Sequence, residues 1–408
     1  MSIFDPQIIR ADFPVLDQEI NGRPLVYLDN AATSQTPRQV IEASADYYNR
    51  INSNIHRGAH KLARDATLAH EAARGTISRH LNSRHEHEII FTSGTTDAIN
   101  LVSNTLSLSG KIGHGDSVII SGLEHHSNIV PWQMLCERTG AELKIIPVLE
   151  DGTLDMNGYR ALLDENVKLV AVGHVSNALG TINPVEAIIT MAKSFGALVL
   201  LDGAQAAPHM EIDVQKLGCD FYAFSGHKTY GPTGIGVLYG REEILDALPP
   251  WRGGGEMIKE VTFEHTTYND LPFKYEAGTP DIEGAIALAA AIDYMNGLGM
   301  DNIASHEHTL QQRATAALEE IDGIRLFGTA PEKAAVVSFL IGNIHHYDLG
   351  TLMDQMGVAL RTGHHCCQPL MKRFGITGTT RASFAIYNTE EEVDIFIAAV
   401  KKAAMMLR

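Results

Sequence analysis

The chain has 408 residues, 45% hydrophobic and 20% charged, the composition of a soluble globular protein long enough for two domains. Its 32 basic and 49 acidic residues give a formal net charge of −17, which argues against a nucleic-acid or anionic-membrane surface. The N-terminal stretch carries acids and prolines where a signal peptide needs an apolar core, no apolar run reaches membrane-spanning length, and Cys136, Cys219, Cys366 and Cys367 form neither a disulfide framework nor a zinc pattern, so a cytoplasmic setting is expected.

Residues 1–22 read as a short helix and an arm. Leu25–Ala32 gives a short strand and a turn, and Asn54–His60 a polar loop at a cleft or subunit contact. His56 and His60 have the i, i+4 spacing of helical metal ligands, but Gly58 lies between them and no acidic third ligand is near, so no metal is expected. A helical pattern from about 65 to 82 runs into the strand Glu88–Thr92, and Ser93-Gly94-Thr95-Thr96-Asp97 then opens a helix. Glycine and hydroxyl residues at such a turn expose backbone N–H groups at the positive helix end, a phosphate seat. Simple N-capping by Thr95 explains the same residues. Ser117–Ile120 is a strand followed by Glu124-His125-His126-Ser127-Asn128, where a histidine suits an aromatic face or a proton carrier. Leu143–Val148 is another strand.

Three strands then follow, each ending in a different polar reagent. Val167–Val172 leads to His174-Val175-Ser176-Asn177, Ala197–Leu201 to Asp202-Gly203-Ala204-Gln205, and Cys219–Phe224 to Ser225-Gly226-His227-Lys228. Strands alternating with helices, such as Pro184–Phe195, predict a parallel sheet with right-handed crossovers, whose ligands bind beyond the carboxyl ends of the strands. Asn177, Asp202, Gln205 and Lys228 are therefore expected in one cleft. A lysine past a buried strand end is poorly solvated, easily deprotonated and able to form a Schiff base with an aldehyde cofactor. Ser225 and His227 beside it suit that cofactor's phosphate.

Gly234–Gly240 closes this sheet, Gly253–Glu256 reads as a flexible turn, and Glu276-Ala277-Gly278-Thr279-Pro280 opens a helix from about 281 to 297, as an anion site or a cap. A composition shift near Asn296–Gly299 separates a large domain, 23–296, from a smaller one, 297–408. The smaller is predicted as helix 302–321, strand 335–340, helix 348–356, strand 358–361, a loop Arg361–Pro369, strand 380–386 and a last helix from Thr389, where Glu392 completes a capping box.

In order, these segments resemble the pyridoxal-phosphate enzymes of fold type I in the class V aminotransferase superfamily. Within it they are similar to the group II (SufS-type) cysteine desulfurases, also called selenocysteine lyases. The resemblance runs from about Asp12 to the end and is carried by Tyr27–Ala32, Thr92–Thr96, Glu124–Trp132, His174–Asn177, Asp202–Gln205, Ser225–Lys228, Arg361–Pro369 and Arg381–Ser383. It implies an α/β fold, with a mostly parallel seven-stranded sheet in the large domain and a smaller C-terminal α/β domain that carries a cysteine loop and packs with the arm.

The resemblance further implies that Lys228 holds pyridoxal 5'-phosphate, Asp202 pairs with the ring nitrogen, His125 stacks on the ring, and Asn177 and Gln205 contact its oxygen. Thr95, Thr96, Ser225 and His227 would bind the phosphate, with Thr279 reaching in from the second subunit of a homodimer. Arg381, with Asn177, would bind the substrate carboxylate, and Arg361 would steady the cysteine loop. Cys366 would be the nucleophile that takes sulfur from L-cysteine, leaving L-alanine and a persulfide, while Lys228 shuttles the α-proton. L-Selenocysteine as a substrate, a SufE- or SufU-type acceptor protein and iron–sulfur cluster assembly are implied in the same way. The sequence departs from the family pattern at Cys367, where a small residue such as Ala is common; the residue reads as a passive, partly buried thiol.

Overall fold

The computed structural model describes residues 4–408. Seven strands build the central sheet: β1 (Ile89–Thr92), β2 (Ser117–Ser121), β3 (Glu142–Ile146), β4 (Val167–Gly173), β5 (Leu198–Asp202), β6 (Phe221–Ser225) and β7 (Gly236–Gly240). Their spatial order is β1-β7-β6-β5-β4-β2-β3. All neighbours are parallel except β7, which runs antiparallel to both β6 and β1. The glycine-bounded strand therefore lies inside the sheet, and β1 and β3 form its edges.

Because side chains alternate across a strand, a sheet covered on both faces needs apolar residues at consecutive positions. The chain meets that demand. Val170, Val172, Val199, Leu201, Tyr222 and Phe224 enter one core, while Leu169, Ala171, Leu200, Phe221 and Ala223 enter the core on the opposite face. One close approach fixes the edge nearest the site: a Cβ on Gly236 would stand 2.4 Å from the Cα of Gly94. Gly94 itself has φ +144°, a conformation few side chains tolerate.

C-terminal to these strands, β8 (Ile324–Phe327), β9 (Val336–Ile341), β10 (Arg361–Gly363) and β11 (Thr379–Ser383) form an antiparallel sheet in the order β8-β9-β11-β10. Val337, Phe339 and Ile341 pack with the helices Met300–Glu319, His346–Gln355 and Glu390–Leu407. The last of these starts on the expected box: the Thr389 side chain accepts from Glu392 N and the Glu392 carboxylate accepts from Thr389 N. On the other face Ser338 is fully buried and donates to Ala178 O, tying this sheet to the loop after β4.

The segment read as one strand, 358–361, divides. Val358–Ala359 pairs in parallel with Val26–Tyr27, whereas Arg361 begins β10 and pairs with Arg381, so the first three residues of the expected cysteine loop are strand. Two residues are too short a run to reveal a change of partner. A hairpin, Ile258–Val261 with Thr266–Tyr268, follows the glycine-rich turn and was not anticipated, because its residues are mostly exposed and show no apolar alternation. The arm packs on two elements: Ile9, Phe13 and Leu16 meet Ala287 and Ala291 of the helix Ile282–Leu298 as well as Ile386 and Tyr387. Among the described residues no helix is long and apolar enough to cross a membrane.

Candidate active site

A cavity of about 250 Å³ opens at the carboxyl ends of β4, β5 and β6. Its wall contains Thr95, Thr96, His125, Asn177, Asp202, Gln205, Ser225, His227, Lys228, Arg361, Cys366 and Arg381. The sheet thus brings together every site residue expected from the sequence except Thr279. That threonine lines a separate cleft of the same chain, with Trp251, Arg252 and Glu276.

At the sheet side, Asp202 is the last residue of β5 and is 8% exposed. Its Oδ1 accepts from Ala204 N at 3.0 Å. Burial pushes its pKa up, against the pull of that N–H and of Lys228. Lys228 closes a short turn after β6. Burial pushes its pKa below the ordinary lysine value; Asp202 opposes this and Arg381 adds to it. Such a pair fits a cofactor bearing an aldehyde for the amine and a cationic ring nitrogen for the carboxylate.

The helix Thr95–Leu108 begins at the cavity. Its N-cap is Gly94 and no side chain caps it, so the hydroxyl of Thr95 is not the cap. Instead Thr95 N donates to Ser225 Oγ at 2.8 Å, and the two hydroxyls lie 2.7 Å apart. Thr96 is exposed at the same helix end. Open N–H groups, hydroxyls and the positive helix end suit a phosphate group. His227 closes this corner, its Nδ1 3.3 Å from Thr33 Oγ1; burial, with Lys228 adding, lowers its pKa to about 4. Gln205 donates to Ala31 O at 2.7 Å.

His125 follows β2. Its Nδ1 accepts from Ser127 N at 3.1 Å, so the proton of the neutral ring sits on Nε2. Burial, and then the Lys228 cation, lowers its pKa to about 3.

The opposite wall comes from β10, β11 and the turn after β10. Arg381 is 1% exposed; its Nη1 donates to Asn177 O at 2.8 Å and its Nη2 to Asp29 Oδ1 at 3.0 Å, while its buried Nε has no partner. Arg361 stands opposite Arg381 in the strand pair and reaches to 3.9 Å from Asp29 Oδ2. Asp29 thus holds two cations that would otherwise repel. No motif or spacing in the sequence assigns Asp29 a role; the only local signal is an acid at the end of the short run Tyr27-Leu28.

Cys366 sits on a tight turn. His365 and Cys366 have φ +51° and +57°, left-handed conformations that cost non-glycine residues free energy. Three side chains and one backbone bond hold the turn. Asn177 Nδ2 donates to His365 O at 2.7 Å, His126 N donates to Cys366 O at 2.8 Å, His365 Nε2 lies 2.9 Å from Thr379 Oγ1, and Gln368 N donates to His126 Nε2 at 3.1 Å. Cys366 is partly exposed, whereas Cys367 is fully buried, donating to Asn177 Oδ1 at 3.2 Å, and burial raises its pKa to about 12. A thiol so hard to ionise is a poor nucleophile. Glu124, also unassigned from the sequence, lines the cavity; burial raises its pKa to about 7, and it accepts from Ser121, Asn128 and Gly173 N.

Comparison with known proteins agrees with this architecture. Residues 26–396 match the class-V aminotransferase family. A curated relative from Halalkalibacterium halodurans, described as a probable cysteine desulfurase, is 52% identical over 97% of each chain. The cysteine desulfurase of Cronobacter sakazakii is 49% identical over 99% of each chain. The crystal structure of the cysteine desulfurase CsdA (S-sulfonic acid) from Escherichia coli superposes with a TM-score of 0.93 at 40% identity, covering 100% of both chains. The chain belongs to the class-V aminotransferase family and, within it, to the cysteine desulfurases.

Proposed function

We propose that this chain is a group II, pyridoxal-phosphate-dependent desulfurase that converts L-cysteine to L-alanine and leaves the sulfur as a persulfide on Cys366. The observation that carries the reading is one cavity into which a poorly solvated amine and a partly exposed thiol both open. Lys228 would hold the cofactor through its amine, and the same amine is placed to move the α-proton. Asp202 would pair with the cofactor's ring nitrogen, whose positive charge would offset the burial of the carboxylate. Thr95, Thr96, Ser225 and His227 would take the phosphate, Gln205 and Asn177 the ring oxygen, and the neutral ring of His125 would pack against the cofactor. When bound, pyridoxal phosphate supplies an electron sink for the pair left at the substrate α-carbon.

Arg381 receives the substrate carboxylate; its unpartnered Nε is a donor awaiting an oxygen, and Asp29 and Asn177 fix the rest of the guanidinium. Arg361, sharing Asp29, steadies the cysteine turn. The Cys366 thiolate attacks the substrate sulfur, the C–S bond breaks, and its electron pair stays with the substrate carbon, which takes up a proton. The net change is L-cysteine plus thiol to L-alanine plus persulfide, with no external oxidant. L-Selenocysteine would fit the same groups.

Thr279 lies outside its own chain's cavity, in keeping with a role at the phosphate of a second copy, so the active form in this reading is a homodimer. A persulfide on so short a turn needs a dedicated acceptor, of the SufE or SufU type, for cytoplasmic iron–sulfur cluster assembly. The chain divides in this reading into an arm, 1–22, a large domain, 23–296, and a small domain, 297–408. Incubating the protein with L-cysteine and a reductant tests the chemistry: alanine and sulfide in equal amounts support desulfuration, and a keto acid in place of alanine would point to transamination.

A further inference from the structure

Outside the cavity, the loop before the helix Lys61–Leu81 brings His56 against His70 and Glu71 on that helix. His56 Nε2 lies 2.9 Å and His70 Nδ1 3.3 Å from the same Glu71 Oε1, and the three atoms lie within 4.8 Å of one another. On its far side, His56 Nδ1 is 3.2 Å from Glu256 Oε1.

Both nitrogens of His56 thus face carboxylate oxygens, which only accept hydrogen bonds, and a neutral imidazole donates from one nitrogen alone. If Nδ1–H serves Glu256, the Nε2 lone pair points at Glu71 Oε1, acceptor against acceptor. A cation between them removes the conflict. The charges agree. Among the described residues Glu71, Glu256 and Glu276 meet only two guanidiniums, Arg57 and Arg74, so the carboxylates outnumber the arginines around the site. Arg74 does not occupy the gap. Its two terminal nitrogens hold Glu276 at 2.8 and 2.9 Å, and its Nε takes the other oxygen of Glu71 at 3.1 Å. His56 has φ +67°, a strained position fixed by a hydrogen bond from its N–H to Thr67 Oγ1. Its side chain and that of Glu71 remain 17% and 35% exposed, so an ion can reach them.

We propose that His56 Nε2, His70 Nδ1 and Glu71 Oε1 bind a divalent transition-metal ion of the zinc class, with Glu256 orienting His56 through its other ring nitrogen. Two imidazoles and a carboxylate are a ligand set for zinc, cobalt or nickel, and a carboxylate behind a ligating histidine fixes its tautomer. The i, i+4 pair His56 and His60, from which no metal was expected, does not supply the ligands, because His60 caps the helix by accepting from Ala63 N. The missing acid comes from the next helix turns. The ion would clamp the 54–60 loop to the helix and, through Glu256, to the glycine-rich turn.

The test is titration of chelator-treated holoprotein with cobalt(II) at mildly alkaline pH, where an ordinary imidazole is neutral. The expected result is saturable uptake of one ion per chain, with visible ligand-field absorption, displacement by zinc and a raised thermal midpoint. Glu71→Gln and His70→Ala should each weaken binding by at least about tenfold, and His56→Ala, whose loop lies outside the core, carries the test if His70→Ala does not fold. Cys366→Ser should bind as the parent does. Absence of saturable uptake, which would mean that a proton alone fills the gap, overturns the proposal. So does uptake unchanged in His56→Ala and Glu71→Gln, or uptake lost in Cys366→Ser.

Discussion

The two walls of the cavity are built by different means. Asp202 and Lys228 stand at the ends of adjacent strands buried on both faces, and backbone register places them, Asp202 opposite Ala223. Cys366 stands on a turn of two left-handed residues held by the side chains of Asn177 and Thr379 and by both the backbone and the ring of His126. Shifting the first wall would disrupt a cooperative sheet. Releasing the second breaks a few hydrogen bonds worth about 1 kcal/mol each and relieves strain of similar size. A cofactor needs fixed geometry, whereas a sulfur carrier must pass its load to another molecule. The contrast in construction suits the two tasks proposed for these walls.

The largest test of the rigid wall is Lys228→Ala. The account expects loss of the visible absorption of lysine-bound cofactor and a fall in turnover on the order of 10³-fold or more, with the fold kept by circular dichroism. Between the walls, Arg381→Lys should lower kcat/KM for cysteine by roughly 10- to 100-fold, mainly through KM, because an ammonium offers a point charge where a planar fork is needed. On the held wall, Asn177→Ala removes both hydrogen bonds to the turn. Because Asn177 is also proposed to contact the cofactor, the informative readout is alkylation of Cys366 in protein without substrate, which should quicken several-fold if the side chain restrains the turn.

The smallest expected effect concerns stability. His125, His174 and His227 are held neutral by burial, with pKa values lowered to about 3, 4 and 4. Below about pH 6.5 the unfolded chain takes up protons that the folded chain refuses. The stabilisation is therefore complete above that value and lost as pH falls toward about 4. The thermal midpoint should decline over this window, and the slope should be shallower in His174→Gln.

The rigid wall was legible because its signals are local: an apolar run ending in Asp202, another ending in Ser225-Gly226-His227-Lys228. The held wall was less so. Cys366 and Arg381 stood out through a family pattern, but what holds them did not. Asp29 reaches Arg381 across 352 positions of sequence, and Asn177 reaches His365 across 188. Hydrogen bonds of that span leave no periodic trace. The same holds for Glu71 beside His56, since spacing pointed to His60. In the fold, the long parallel strands were readable, while two-residue strands and the exposed hairpin lacked the apolar alternation that marks a strand.

The account stands on Cys366, not its neighbour, receiving the sulfur. Mass spectrometry of the intact protein and its peptides after brief exposure to L-cysteine tests this directly. The account predicts a gain of one sulfur atom on the peptide bearing Cys366, abolished by Cys366→Ser and retained in Cys367→Ala. Sulfur that persists in Cys366→Ser and maps to Cys367 would contradict it.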